Sequence, residues 1–187
     1  MKISAFTTLM VLVALCAVDQ GQDIRGHSVR LSTLSPPQQS AINSAIQHWD
    51  RQFKWKAQYN SANMAGDTSV ATARLGPARE KDLIVTDLSG CSPTGNCSIW
   101  VLRPVKKQYR VVLEAIGQIF TIMSARANGF RNIKIRMHGS ATMSEVKTYK
   151  FNGTRYVRTG CYNEIFKELD KEGKLQKLDN PRTAPCQ

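Results

Sequence analysis

The sequence predicts an α+β domain: one N-terminal amphipathic helix packed on a meandering antiparallel sheet of six to eight strands, with a short C-terminal helix. Three observations predict it. Residues 36–54 carry apolar side chains at helical spacing. From about residue 68 to Tyr162 the period changes, and short β-branched or aromatic runs alternate with turn residues every 8–12 positions. No long linker interrupts the 187 residues, so a single domain is expected.

The chain begins with Lys2 and the apolar run 3–18, followed by Asp19, Gln20, Gly21 and Gln22. A short positive segment, an apolar stretch and a polar boundary make a secretory leader, so residues 1–22 are expected to be removed and residues 23–187 to form the exported domain. A membrane anchor needs about 20 apolar residues, more than this run supplies. Lipidation at Cys16 prefers a small residue before the cysteine, and Leu15 is large. The exported chain is therefore expected in the periplasm or outside the cell, as a monomer without a transmembrane anchor.

Residues 23–33 form a polar opening stretch. Ser35, Pro36 and Gln38 then mark a helix start: Ser35 can cap, Pro36 suits the first helical position and Gln38 completes a capping box. Ile42, Ala45, Ile46, Trp49 and Phe53 line the buried face, while Gln39, Asn43, Gln47 and Asp50 lie opposite. A loop over 60–68 follows. Strands are predicted at 70–75, 82–88, 98–103, 109–116, 118–124, 132–137, 145–151 and 154–159, each ended by glycine, proline, asparagine or serine. Asn152-Gly153, between the last two, is the strongest hairpin signal. A helix is predicted over 163–171, and 174–187 reads as a loop-like tail containing Pro181 and Pro185. The chain is too short for a propeller, whose blades repeat every 40 residues or so.

Loss of Cys16 with the leader leaves Cys91, Cys97, Cys161 and Cys186. An even count in an exported chain predicts two disulfides, with three connectivities open. Pro93 and Gly95 can turn the chain between Cys91 and Cys97, which favours that pair and leaves Cys161–Cys186 to tie down the tail. The cysteine spacings miss the zinc pattern and no histidine lies near them, so neither a metal nor another cofactor is expected.

Lys and Arg number 26 against 14 Asp and Glu, a formal net charge of +12. This balance favours an anionic partner such as nucleic acid, phospholipid head groups, lipopolysaccharide or acidic glycans. No specific nucleic-acid motif accompanies it. On the strand 132–138, Ile133, Ile135 and Met137 alternate with Lys134, Arg136 and His138. Arg126 and Arg131 flank the turn before it, and Arg155 and Arg158 lie on the next hairpin. These seven residues are the candidate anion-binding set. Lys147 and Lys150 belong to the same hairpin but alternate faces, and Tyr149, Tyr156 and Tyr162 lack the ordered platform of an RNA-recognition sheet.

Signatures of catalysis are missing. The three histidines are His27, His48 and His138. A triad of Ser140, His138 and Asp82 or Asp87 has no nucleophile elbow to support it. Asp82, Asp87, Glu114 and Glu145 lie in or near strands, but glycoside hydrolysis needs two carboxyls roughly 5–9.5 Å apart. There is no P-loop, dinucleotide fingerprint, HExxH or calcium loop.

The stretch 82–164 resembles a group of small exported bacterial β-rich proteins with no established activity. The resemblance rests on the loop from Cys91 to Cys97, Ile99-Trp100-Val101-Leu102, Tyr109-Arg110-Val111-Val112, the turn Asn128-Gly129-Phe130, Ser140-Ala141-Thr142, the hairpin Phe151-Asn152-Gly153-Thr154-Arg155-Tyr156, and Cys161. Asn132 and Asn152 stand where those proteins commonly have aspartate, which argues against a metal there. The resemblance implies an exported β-rich domain.

These observations favour a non-catalytic cell-envelope protein that binds an anionic or protein partner. Two other classes remain: an envelope hydrolase with dispersed carboxylates, and a secreted inhibitor of an acidic hydrolase. A basic inhibitor suits an acidic target better than the usually basic lysozymes.

Overall fold

A computed structural model describes residues 22–23, 28–53, 67–77 and 79–186. Most of the predicted leader, residues 24–27 with His27, and the loop residues 60–66 lie outside them. The described chain forms β1 (Gln22–Asp23), β2 (Ser28–Arg30), a 3-10 turn (Leu31–Thr33), α1 (Pro36–Phe53), β3 (Thr68–Ala73), β4 (Asp82–Asp87), β5 (Cys97–Val105), β6 (Gln108–Gly117), β7 (Ile119–Ala127), β8 (Phe130–Ser140), β9 (Met143–Phe151), β10 (Tyr156–Leu169) and β11 (Leu175–Pro185).

The expected fold class is corrected here. The strands form two antiparallel sheets, ordered β1-β7-β8-β9-β10-β11 and β2-β3-β4-β5-β6, not one sheet of six to eight strands. The reason lies in β4 and β5. Leu83, Val85, Trp100 and Leu102 pack toward Leu31, Ile42, Ala45 and Ile46. Ile84, Ile99 and Val101, which alternate with them, pack toward Phe120, Ile122, Ile133 and Ile135 of the other sheet. A strand apolar on both faces must be covered on both. The five-stranded sheet is therefore the middle layer, with the six-stranded sheet on one side and α1 on the other.

The predicted short C-terminal helix is also corrected. Residues 163–169 belong to β10, which pairs with β9 from Tyr156↔Phe151 to Ile165↔Met143 and with β11 from Tyr162↔Pro185 to Leu169↔Leu175. Ladder hydrogen bonds on both sides override the weak local helical pattern. Cys161 and Cys186 are joined, which holds the predicted tail alongside as β11.

Local signals read from the sequence act as expected at several points. Gln38 Oε1 accepts from the Ser35 backbone N–H at 3.3 Å and from its hydroxyl at 2.9 Å, the return half of a capping box. Asn128 and Gly129, with φ of 49° and 79°, make the two-residue turn from β7 to β8. At Asn152 the hairpin is longer, and its Oδ1 accepts from the N–H groups of Thr154 and Arg155 at 3.0 and 2.9 Å.

The chain passes between sheets at the β6–β7 junction. There Gln118 N–H donates to Arg136 O at 2.8 Å. A Cβ on Gly117 would lie 2.3 Å from Ile135 Cγ2, so glycine permits this close crossing.

Candidate anion-binding groove

The seven cations singled out from the sequence do not share one surface. Lys134, Arg136 and His138 alternate with the buried Ile133 and Ile135 and face away from the core. Arg136 is held by Glu164 in an ion pair. His138 is fixed through its backbone, bonded in both directions to the side chain of Asn96. Arg126 and Arg131 sit opposite each other at the end of the β7–β8 hairpin. Arg126 Nη1 donates to Gly129 O at 3.0 Å and Arg131 Nε to Met123 O at 2.8 Å. Arg158 pairs in register with Tyr149, which pairs with Ile133, so it lies on the opposite sheet face from Lys134. Arg155 leaves this region and faces a groove formed with other elements.

That groove has a volume of about 850 Å3. The helix wall is Ser40, Ala41, Ser44, Ala45, His48 and Arg51 of α1, with Trp49 beside them. The floor is Gln108, Tyr109, Arg110 and Val111 of β6, and the far rim is Thr154 and Arg155 of the β9–β10 turn. α1 takes its place by burying Ile42, Ala45 and Ile46 against the middle sheet, with Trp49 and Tyr109 packed on the same cluster. Trp49 Nε1 donates to Glu114 Oε2 at 2.7 Å, which fixes the C-terminal half of α1 over β6. Burial and the neighbouring Glu114 both push the Asp50 carboxyl above its ordinary range.

Three arginines thus line one groove from three separate elements: Arg51 from α1, Arg110 from β6 and Arg155 from the turn. Arg51 lies in the last turn of α1, where the helix dipole favours a cation. The walls between them are largely apolar, through Ala41, Ala45, Tyr109 and Val111. An anion bound here gains charge-assisted hydrogen bonds and partial exclusion of water. Of these residues, sequence reading selected Arg155 alone. The alternation Gln108-Tyr109-Arg110-Val111 is visible in the sequence, but the position of α1 beside it is not.

The acids considered for hydrolysis are each tied elsewhere. Asp82, 3% exposed, forms an ion pair with Arg103 at 3.0 Å. Burial raises its pKa, and the Arg103 guanidinium pulls it back. The guanidinium carbon lies 3.9 Å from the Phe130 ring centre and 4.6 Å from that of Phe151. Asp87 Oδ1 accepts from the hydroxyl and N–H of Ser89 at 2.7 and 3.0 Å. Glu114 holds Trp49, and Glu145 pairs with Lys147 at 2.8 Å. Ser140 Oγ bonds Thr142 rather than His138. The suggested triad is not assembled.

Cysteine pairing follows the favoured connectivity, Cys91–Cys97 and Cys161–Cys186. Glu145 comes close to the second pair. Both sulfurs there are bonded to each other and the carboxylate already faces Lys147, so the cluster is a poor cation site. No helix among the described residues is long and apolar enough to cross a membrane. The chain matches no protein-family model, no curated protein and no solved structure.

Proposed function

We propose that the protein is an exported, non-catalytic binding protein of the cell envelope, and that it holds an anionic partner in the groove between α1, β6 and the β9–β10 turn. The observation that carries this reading is that Arg51, Arg110 and Arg155, from three separate elements, all line one cavity of about 850 Å3. Residues from three elements line one cavity only through the tertiary fold, whereas the basic residues of β8 do not share one surface. Export is supported by the leader pattern and by the two disulfides. The net charge of +12 favours the approach of an anion to the protein.

The test is retention on a heparin matrix across a salt gradient. The triple variant Arg51→Glu/Arg110→Glu/Arg155→Glu should elute at distinctly lower salt than the parent. A charge-matched control, Lys150→Glu/Lys171→Glu/Lys174→Glu, separates the groove from the overall charge, because its three lysines are exposed and none lines the groove. Equal shifts in the two triple variants reject the groove as the site.

A further inference from the structure

The groove is bounded by the edge of a strand rather than by its face. Gln108, Tyr109, Arg110 and Val111 are consecutive, and all four line it. Successive strand residues point to opposite faces. A cavity touched by four in a row therefore runs along the backbone between those faces. β6 ends its sheet, and among the described residues its one ladder is with β5.

The four sheet edges of the described chain are not equally protected. β1 and β2 are two and three residues long. β11 carries Pro181 and Pro185, which remove backbone donors and discourage a further strand. β6 has ten residues and no proline. It is a long edge able to accept another strand, and it is the one beside the cavity.

Charge selects the occupant. Tyr109 and Val111 pack toward the α1 side, so Gln108 and Arg110 point to the other. A second copy of β6 paired in the register centred on Arg110 would set like charges together. An acidic segment would meet Arg110 and Arg155 with opposite charge.

Resting on the anion-binding reading above, we propose that the ligand is an extended acidic peptide segment that adds as a strand along the edge of β6. Its acidic side chains turn toward Arg110 and Arg155. The alternate, apolar side chains turn toward Ala41 and Ala45 of α1. Backbone hydrogen bonds supply affinity, and the two unlike walls supply specificity.

Fluorescence anisotropy tests this with the purified protein and a labelled octapeptide of alternating Glu and Val. Two further octapeptides carry N-methyl groups, one on every Glu and one on every Val. A heparin-derived hexasaccharide is the non-peptide polyanion. An added strand turns alternate N–H groups toward β6, so one methylated peptide should lose about tenfold or more in affinity, the cost of about one lost hydrogen bond or more, while the other binds like the parent. Arg110→Glu should weaken the parent peptide and raise its dissociation rate. Equal binding of all three peptides overturns the added strand, as does binding of the hexasaccharide with no binding of peptide. Both results leave the anionic groove standing. If neither peptide nor hexasaccharide binds, the added strand and the groove both fall. The methylated peptides need no protein variant, so their outcome does not depend on any variant folding.

Discussion

Asn96 lies across the open backbone edge of His138. Its Nδ2 donates to the His138 carbonyl at 2.9 Å, and its Oδ1 accepts from the His138 N–H at 2.8 Å. The ladder between β7 and β8 begins at Ile119↔Arg136 and does not reach His138 on that side. One side-chain amide thus serves as a missing strand residue. It also ties the Cys91–Cys97 loop to the six-stranded sheet, assisted by Gln118, whose Nε2 donates to Thr94 O.

Asn96→Ala should therefore cost about 1–3 kcal/mol, because it strips partners from two half-buried backbone groups. Asn96→Asp keeps one acceptor but sets an anionic oxygen against a carbonyl, and should be no more stable than the alanine variant at neutral pH. Urea unfolding gives both values. Parental stability in either variant rejects the bridge.

The sequence was legible where the signal is local. Ser35 and Gln38 begin α1, Asn128-Gly129 turns the chain, and the β-branched runs become strands. What stayed hidden depends on partners distant in the chain. The continuous apolar runs at 83–85 and 99–102 signal strands buried on both faces, yet nothing local says that one side is a second sheet and the other α1. The stretch Asn163-Glu164-Ile165-Phe166 reads as helix until β9 and β11 pair with it. The groove was hidden for the same reason: Arg51, Arg110 and Arg155 stand 59 and 45 residues apart (110 − 51 and 155 − 110) and line one cavity only in the folded chain.

Asp82 and Arg103 form the ion pair inside the sandwich, and its two halves are not equivalent to remove. Asp82→Ala leaves the Arg103 guanidinium enclosed by Phe130 and Phe151 without its counter-ion, a loss of about 3–5 kcal/mol. Asp82→Leu combined with Arg103→Met removes both charges and should recover most of that loss. Chemical denaturation of the single and double variants measures the difference. If the double variant is as unstable as Asp82→Ala, the charge imbalance is not the cause.

Tyr149, Tyr156 and Tyr162 all have phenol pKa values raised above the usual 10.0, in each case chiefly by burial. Nearby acids add to the effect: Glu145 at Tyr149, Asp82 at Tyr156 and Glu164 at Tyr162. The folded chain keeps these protons where the unfolded chain releases them. Their stabilising contribution is therefore intact below pH 10.0 and is lost as pH rises through the raised values. In an alkaline titration, these three tyrosines should ionise late, as the β signal in circular dichroism is lost. Free ionisation of Tyr149, Tyr156 and Tyr162 near pH 10.0 with the sheets intact would count against this burial.

The tail should depend on its disulfide more than the sandwich does. β11 pairs with β10 alone, and its described side chains are mostly exposed, so little apolar burial holds it. Cys161–Cys186 spans a separation of 25 residues against 6 for Cys91–Cys97. The loop-closure relation gives about 3.5 kcal/mol for the longer link and about 2.4 kcal/mol for the shorter. Cys161→Ser/Cys186→Ser should release β11, so that trypsin cuts early at Lys174 and Lys177 while the remaining sheets resist. Cys91→Ser/Cys97→Ser should lower global stability yet leave those two lysines protected, since the link beside β11 is intact. Limited proteolysis read by mass spectrometry separates the two variants. Equal tail cleavage in both would show that β11 is held by the sheet itself and not by the bond at its end.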